Sequence, residues 1–276
     1  WVLTTYTLAP QLATVLENRA IAPGHHRLRL LAPDCARQSR PGQFIHVKVT
    51  GGTTPLLRRP ISIALAYPST GEIALLVREA GAGTQYLCSL RVGDRADLMG
   101  PLGQGFPVIP AGSRLLLAGG GIGVAPLLAA AQEATAHGTE VTACVGARRK
   151  ELLVGVEELE GLGARVLPAT DDGSRGYAGP VTGLVQHELS TGRYRLLFGC
   201  GPVGMLCALQ ELARRHTADT YLSLEQYMAC GVGACLGCAV KAADAGGYLK
   251  VCRDGPVFAA GRVVLEGLPG GGGCVG

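Results

Sequence analysis

The chain has 276 residues, of which 47% are hydrophobic and 17% are charged, and its net charge at pH 7 is +4. This length predicts two domains with room for a small third, and the small, scattered positive charge argues against a nucleic-acid partner. Every apolar window of 18 residues is interrupted by glycine, proline or charge, and the N-terminus lacks a signal-peptide pattern, so we expect a cytoplasmic protein without membrane insertion.

Residues 1–108 consist of short runs in which apolar and polar residues alternate, separated by turn residues. The runs include HRLRLLAP, GQFIHVKV, ISIALAY and EIALLVREA. Alternation with a period of two is typical of β-strands, and the spacing of the runs predicts an antiparallel barrel or sandwich. We therefore expect residues 1–108 to form an antiparallel β-domain.

One of these runs, LLRRPISIA, carries a candidate binding motif. Arg59 precedes the strand, and its guanidinium can hold a pyrophosphate through charge-assisted hydrogen bonds. Pro60 fixes the backbone that follows, and beyond Ile61 the hydroxyl of Ser62 can hydrogen-bond the edge of a flavin ring. An exposed basic turn ahead of a strand is the alternative interpretation.

A second candidate motif, LLVREAGAGTQYL, joins a strand to a helix. The strand ends with Leu76, Val77 and Arg78, and Gly83 and Thr84 stand at the start of the helix. A glycine-rich turn that opens a helix offers backbone N–H groups to an anion. The later stretch GDRADLMGPLGQGF supplies a tight turn, and the order of these pieces indicates a flavin site more strongly than any one piece does.

Residues 109–216 have a different pattern, in which apolar strands alternate with helices. The stretch RLLLAGGGIGVAPLLAAAQEATAHG predicts a strand, a glycine loop and a helix, and YRLLFGCGPVGMLCALQELARRH repeats that order. Strands that alternate with helices predict a parallel sheet in an α/β domain.

The glycine loop after the first of these strands is a candidate dinucleotide-binding loop. Gly119, Gly121 and Gly123 let the backbone approach a pyrophosphate at the N-terminus of a helix. The loop departs from G-x-G-x-x-G because Pro126 takes the last place, and a simple strand–helix turn is the alternative. In the second such loop, FGCGPVGM, Cys200 is a candidate catalytic residue against a nicotinamide face, with a buried packing thiol as the alternative.

The cofactor preference of such a site depends on the residues after the second strand. An acidic residue there would bind the ribose hydroxyl of NAD, but the sequence has Arg148, Arg149 and Lys150. Arginine suits the 2′-phosphate of NADP, and a basic surface turn explains the same residues equally well. The choice between NAD and NADP is therefore open on the sequence.

Four of the cysteines form a set in the C-terminal segment, residues 217–276. Cys230, Cys235 and Cys238 have C-x4-C-x2-C spacing and Cys252 follows, which is typical of plant-type [2Fe–2S] clusters. Small residues between them let a loop wrap a cluster closely. A structural zinc site is the alternative, although zinc usually takes two C-x2-C pairs. We expect a small cluster domain that ends in a flexible glycine-rich tail.

In this order, RPIS, GAGT, GPLGQGF, GGGIGVAPL and GCGP resemble the motifs of the ferredoxin–NADP reductase superfamily. MACGVGACLGC and VCRDGPVF are similar to the end of the electron-transfer subunits of NAD-dependent bacterial dihydroorotate dehydrogenase. The resemblance covers nearly the whole chain and implies an FAD-binding barrel, an NAD-binding α/β domain and a C-terminal [2Fe–2S] domain. It assigns FAD to residues 59–62, 76–78, 83 and 84, and the cluster to the four cysteines.

The resemblance also implies a role in electron transfer. Nicotinamide exchanges two electrons as hydride and an iron–sulfur cluster exchanges one, so a flavin, which does both, belongs between them. We find no motif with a base for oxidising dihydroorotate in pyrimidine biosynthesis, and the family implies a partner catalytic subunit with FMN, in a heterotetramer of two chains of each kind. A related subunit of a hydrogenase or a ferredoxin-dependent transhydrogenase is the nearest alternative, and a zinc-containing nucleotide-binding module is a more distant one.

Overall fold

The N-terminal part of the chain is a closed barrel of six strands in the computed structural model, which describes residues 10–49, 55–244 and 246–268. The strands are β1 (Gln11–Ala22), β2 (His25–Leu31), β3 (Phe44–Val47), β4 (Arg59–Tyr67), β5 (Glu72–Arg78) and β6 (Arg95–Leu102). Around the barrel they follow the order β1, β2, β5, β4, β3, β6, and every neighbouring pair is antiparallel. The predicted antiparallel barrel is confirmed.

The barrel encloses one apolar core because alternate residues of each strand point inward. Ile45 and Val47 of β3 lie in this core with Leu75 of β5 and Leu98 of β6. Two helices accompany the barrel, α1 (Pro33–Gln38) and α2 (Ala82–Ser89). α2 packs on the same core through Leu87, which fixes the turn that precedes this helix against the barrel.

The second part of the chain is a sheet of seven strands. It contains β7 (Arg114–Gly120), β8 (Glu140–Ala147), β9 (Arg165–Thr170), β10 (Tyr177–Ala178), β11 (Leu196–Cys200), β12 (Asp219–Ser223) and β15 (Val257–Ala259). The order across the sheet is β10, β9, β8, β7, β11, β12, β15, and all pairs are parallel except the last. The longer helices of this part are α3 (Ala125–Ala136), α4 (Val156–Gly161), α5 (Val181–Ser190) and α6 (Val203–Arg215). The predicted parallel α/β sheet is also confirmed.

The C-terminal segment is small and joins the other two parts. β13 (Ala239–Lys241) and β14 (Tyr248–Lys250) form an antiparallel pair, followed by the short helix α7 (Val251–Asp254) and by β15. The sheet extends past the predicted boundary at residue 216, since both β12 and β15 belong to it. Residues 269–276, which include most of the predicted flexible tail, lie outside the described residues.

A single buried cluster connects the three parts. It contains Phe44 of the barrel, Leu197 and Leu222 of the sheet, and Cys238 and Cys252 of the C-terminal segment. The cysteine segment therefore packs against the outer face of β3 as well as against the sheet. Within the described residues, none of the helices has the length and apolar composition needed to span a bilayer.

Candidate functional site

A cleft of about 1130 Å³ opens where the barrel, the sheet and the C-terminal segment meet. Its walls come from β4 and β5 of the barrel, from the loops that follow β7, β8 and β11, and from the segment after β12. The predicted residues that line it are Pro60, Ile61, Ser62, Leu76, Val77, Arg78, Thr84, Gly121 and Gly123. Because the carboxyl ends of parallel strands meet at one edge, the loops after these strands converge on one cleft.

The turn before α2 is built around a glycine that makes room for an arginine. A Cβ on Gly83 would lie 2.9 Å from Nε of Arg59, so the absence of a side chain at this position lets the arginine side chain lie close to the turn. The hydroxyl of Thr84 accepts hydrogen bonds from the backbone N–H groups of Ala80 and Gly81 and so fixes the turn. Arg59 and the first turn of α2 thus stand together, as the predicted anion site requires.

The neighbouring arginine has a structural role that the sequence did not indicate. Nη2 of Arg58 donates to both carboxylate oxygens of Asp97, at 2.9 and 3.0 Å, and Nη1 donates to the Asp97 carbonyl at 3.0 Å. This pair ties the segment before β4 to β6. Arg59 is not among the residues that line the cleft, and its Nη1 donates to the backbone carbonyls of Leu57 and Arg58. Because Arg58 is committed to the Asp97 carboxylate, Arg59 is the arginine of the motif that can turn an N–H group toward an anion.

The glycine loop after β7 faces the cleft on one side and packs closely against neighbouring backbone on the other. Gly121 has a φ of +56°, a left-handed conformation that favours glycine, and it lines the cleft. A Cβ on Gly123 would lie 2.6 Å from the carbonyl carbon of Cys200, so this glycine lets the two ligand loops touch. Gly119 does not line the cleft and packs against Val124 at the start of the loop.

Cys200, the predicted catalytic residue, is buried at the end of β11 and is not among the residues that line the cleft. Burial, reinforced by the charge of Glu225, raises the pKa of its thiol well above the usual range. The thiol is therefore protonated at neutral pH. Its proposed contact with a nicotinamide stays a prediction, and its carbonyl group lies against the loop at Gly123.

Two cleft residues carry chemistry that the sequence analysis missed. Asp171 follows β9 and lines the cleft beside Arg148, the first residue of the basic stretch after β8. An acidic residue therefore lines the cleft after the third strand of this sheet, whereas the sequence has none directly after the second. Glu225 follows β12 and is exposed to the cleft, whose walls surround it; the resulting desolvation raises the pKa of its carboxyl, and the charge of Arg78 partly offsets the rise.

The four predicted ligand cysteines are brought together in one loop and one short helix. Backbone N–H groups point at their sulfurs: Gly233 donates to Sγ of Cys252 at 3.1 Å, Cys235 to Sγ of Cys230 at 3.4 Å, and Cys252 to Sγ of Cys238 at 3.4 Å. Hydrogen bonds of this kind stabilise negative charge on sulfur. The arrangement fits an iron–sulfur cluster, since four thiolates and added electrons place several negative charges in one small volume.

The electrostatics of the loop favour a thiolate at its first cysteine. Burial alone would raise the pKa of Cys230, but hydrogen bonds from the backbone N–H groups of Val232, Cys235 and Ala234 bring it down to about 6. A pKa this low leaves the sulfur mainly ionised at neutral pH and ready to bind a metal. Cys235, by contrast with the buried Cys238 and Cys252, is exposed at the outer edge of the loop.

A second group of metal-ligand residue types lies apart from this loop. Ligand atoms of His26, Glu79 and Cys88 lie within 4.8 Å of one another beside α2. The Nδ1 of His26 is hydrogen-bonded to Asn18 and its Nε2 pairs with Glu79 at 3.5 Å. Burial, with the charge of Glu79, raises the pKa of Cys88 to about 11, and we therefore interpret the group as a histidine–glutamate contact beside a protonated thiol.

Two family models match the chain. Residues 13–106 match an oxidoreductase FAD-binding domain, and residues 225–264 match the iron–sulfur cluster binding domain of dihydroorotate dehydrogenase B. The first match contains every predicted flavin residue, and the second contains all four ligand cysteines. The matches confirm that the chain has an FAD domain and an iron–sulfur domain, and they favour a cluster over the zinc alternative.

Curated relatives resemble the chain over nearly its whole length. The electron transfer subunit of dihydroorotate dehydrogenase B (NAD(+)) from Bacillus caldolyticus is 44% identical over 91% of this chain and 97% of its own. The subunit of the same name from Desulforamulus reducens is 40% identical over 92% of this chain and 98% of its own.

Solved structures show the same fold. An NADH-dependent reduced ferredoxin-NADP oxidoreductase, studied for flavin-based electron bifurcation, superposes with a TM-score of 0.82 over 92% of this chain and 90% of its own, at 29% identity. A ferredoxin NADP+ reductase from Neisseria gonorrhoeae with bound FAD and NADP has a TM-score of 0.63 over 75% of this chain and 91% of its own. At 16% identity, the second structure is evidence for the fold alone.

Proposed function

We propose that this chain, which belongs to the family of dihydroorotate dehydrogenase B electron transfer subunits, carries electrons from a dihydroorotate-oxidising partner through a [2Fe–2S] cluster and FAD to NAD+. The observation that carries the proposal is the continuity of the site. Residues 223–228 line the cleft opposite the flavin motifs and then run directly into Cys230. A flavin exchanges electrons in pairs and singly, which is the chemistry needed between a nicotinamide and a cluster.

The FAD-binding residues are those of the barrel wall. Arg59 and the first turn of α2 would hold the pyrophosphate, since a guanidinium and unpaired backbone N–H groups both favour an anion. Pro60, Ile61 and Ser62 on β4 would orient the ring against the cleft, where Leu76 of β5 supplies an apolar contact and Val77, whose side chain lies in the barrel core, contributes backbone. The ring then stands between the sheet loops and the cysteine segment.

The nucleotide end of the cleft supports NAD+ as the two-electron partner. Gly121 opens the backbone after β7 to a pyrophosphate, and the carboxylate of Asp171 can accept hydrogen bonds from ribose hydroxyls. Arg148 stands beside it and would attract the extra phosphate of NADP. We propose NAD+, since a carboxylate at this end repels that phosphate and the curated relatives carry NAD(+) in their name.

The partner is proposed to be an FMN-containing catalytic subunit, two of which assemble with two copies of this chain. Oxidation of a carbon acid such as dihydroorotate needs a base and an electron acceptor beside the substrate, and we assign both to that subunit. The cysteine loop is a suitable docking point. Cys235 is exposed, and Leu236 beside it is 58% exposed although it is apolar.

The solved structure of the ferredoxin-NADP oxidoreductase supports a second candidate function. That protein shares the fold of this chain, with a TM-score of 0.82 at 29% identity, and its name gives ferredoxin, rather than dihydroorotate dehydrogenase, as its electron-transfer partner. The same relay in this chain would then serve a ferredoxin-linked partner. The 44% identity to the dihydroorotate dehydrogenase B subunit favours the first function.

Co-expression with the FMN-containing dihydroorotate dehydrogenase of the same genome tests the proposal. We expect a stable complex that reduces NAD+ with dihydroorotate, and negligible NAD+ reduction by the catalytic subunit alone. Replacing NAD+ by NADP+ measures the cofactor preference. The proposal is wrong if the two proteins do not associate, or if adding this chain leaves the NAD+ reduction rate unchanged.

A further inference from the structure

His46 is a buried histidine that belongs to neither the flavin motifs nor the cysteine motif. It lies on β3, where it pairs with Pro60 of the flavin motif on one side and with Met99 on the other. The side chains before and after it, Ile45 and Val47, point into the barrel core. The ring of His46 therefore points out of the barrel, toward the side on which Phe44 contacts the cysteine segment.

The ring is fully enclosed and lacks hydrogen-bond partners. His46 is 0% exposed, and neither Nδ1 nor Nε2 has a partner among the residues that the structure describes. An imidazole carries at least one N–H in either of its protonation states, and the nearby backbone of Arg58 is not placed to form a hydrogen bond of good geometry with the ring. A buried N–H without an acceptor is unfavourable, which indicates that the loaded protein supplies one.

The ring lies directly against the cysteine loop. A Cβ on Gly231 would be 2.6 Å from Nδ1 of His46 and 3.2 Å from two ring carbons, so glycine is required here for the imidazole to fit. Gly231 has a φ of +70° and immediately follows Cys230. The polar edge of the imidazole is thereby held beside the first cluster ligand, where sulfur acceptors become available once the cluster is in place.

We propose that the ring N–H of His46 donates a hydrogen bond to a sulfur of the cluster held by Cys230, Cys235, Cys238 and Cys252, and thereby raises the reduction potential of that cluster. This inference rests on the proposed function. Reduction adds one electron, much of whose charge resides on the sulfurs, and an N–H donor stabilises that charge more in the reduced state. His46 is thus a positioning and tuning residue on the barrel side of the cluster.

The test combines a redox titration with a magnetic measurement on the intact complex. In His46→Leu, which removes both nitrogens, we expect the ratio of reduced to oxidised cluster at a fixed solution potential to fall about tenfold. For a one-electron couple this is a downward shift of ~59 mV. His46→Gln, which keeps an N–H donor, should restore part of the shift. His137→Gln, on the exposed surface at the end of α3, is the matched control and should leave the potential unchanged.

The wild-type protein provides a readout that does not depend on any variant folding. With 15N-labelled histidine, pulsed EPR of the reduced cluster should show a weak coupling to one imidazole nitrogen, and His46→Gln should lose it while His137→Gln keeps it. Absence of the coupling from the wild-type cluster, or an unchanged potential in His46→Leu with full iron content, overturns the inference and leaves the electron relay intact. A wild-type chain that binds no cluster overturns the proposed function instead.

Discussion

The chemical role of each residue in the site depends on the hydrogen bonds that the nearby backbone donates and on the space that nearby glycines leave. Hydrogen bonds from three backbone N–H groups of the loop lower the pKa of Cys230 to about 6, and the missing side chain of Gly83 lets Arg59 lie close to the turn before α2. Arg58, one residue earlier, is ion-paired with Asp97. Neighbouring residues of the same type therefore have different roles, which are set by their contacts.

The exposed ligand Cys235 gives the cleanest test of the cluster site. Serine fits its position without disturbing the core, but its hydroxyl is a far poorer iron ligand than a thiolate. We expect Cys235→Ser to lose most of its iron while it keeps FAD, because Cys235 does not line the cleft. Iron and flavin per chain are measured together. Cys88→Ser, on α2, is the control, and unchanged iron in Cys235→Ser would remove this cysteine from the ligand set.

Arg59 is predicted to contribute a charge-assisted contact to FAD. Because such a contact is worth about 1.5–3 kcal/mol, Arg59→Ala should weaken FAD binding about tenfold to a hundredfold. The measurement is the dissociation constant for FAD after mild removal of the flavin. Arg37→Ala, which removes an exposed arginine of α1 paired with Asp34, should leave the affinity as it was. Equal affinities for the two variants would place the pyrophosphate elsewhere.

The residues of the site come together because the strands that carry them end at, or line, the same cleft. β7, β8 and β11 present their carboxyl ends to one cleft, and β4 and β5 present the barrel wall opposite to them. The carboxyl ends of β7 and β11 are in contact through backbone, since Gly123 lies against the carbonyl group of Cys200. The two loops of the nucleotide site can therefore approach this closely because Gly123 has no Cβ.

This contact makes Gly123 sensitive to the smallest substitution. A methyl group there meets backbone that cannot rotate away, so Gly123→Ala should destabilise the protein by about 1–3 kcal/mol, the range typical of overpacking, and should slow reduction by NADH. Gly161→Ala, in α4, where a Cβ meets nothing within 4 Å, should be neutral or slightly stabilising. Chemical denaturation of both variants checks the difference, and equal stabilities would contradict the proposed contact.

The elements that the sequence predicted are those with local signals. A period of two marks β2, β4 and β5, and the alternation of strand, glycine loop and helix marks β7 with α3 and β11 with α6. Pairing between distant segments has no such signal, which is why the addition of β15 to the edge of the sheet was not predicted. For the same reason, motifs identified the loops of the site but not Asp171, Glu225 or His46, whose roles depend on what packs beside them.

The three parts of the molecule are arranged so that one cleft adjoins the loops after β7 and β11 and also the segment that leads into the cysteine loop. The barrel and the C-terminal segment share a buried cluster that contains Phe44, Cys238 and Cys252. The sheet is closed at one edge by β15, which comes from that same segment. The cluster site is therefore held by the barrel and the sheet together, and its distance from the cleft is fixed by packing on both sides.

The most direct test of the electron relay is a visible spectrum of the protein before and after NADH is added. The protein is purified without air, reconstituted with iron, sulfide and FAD, and desalted. We expect one FAD and about two irons per chain, with flavin bands over a broad iron–sulfur absorption, and bleaching of both on addition of NADH. A protein that instead retains zinc and no flavin, or whose flavin and cluster do not respond to NADH, would contradict the relay.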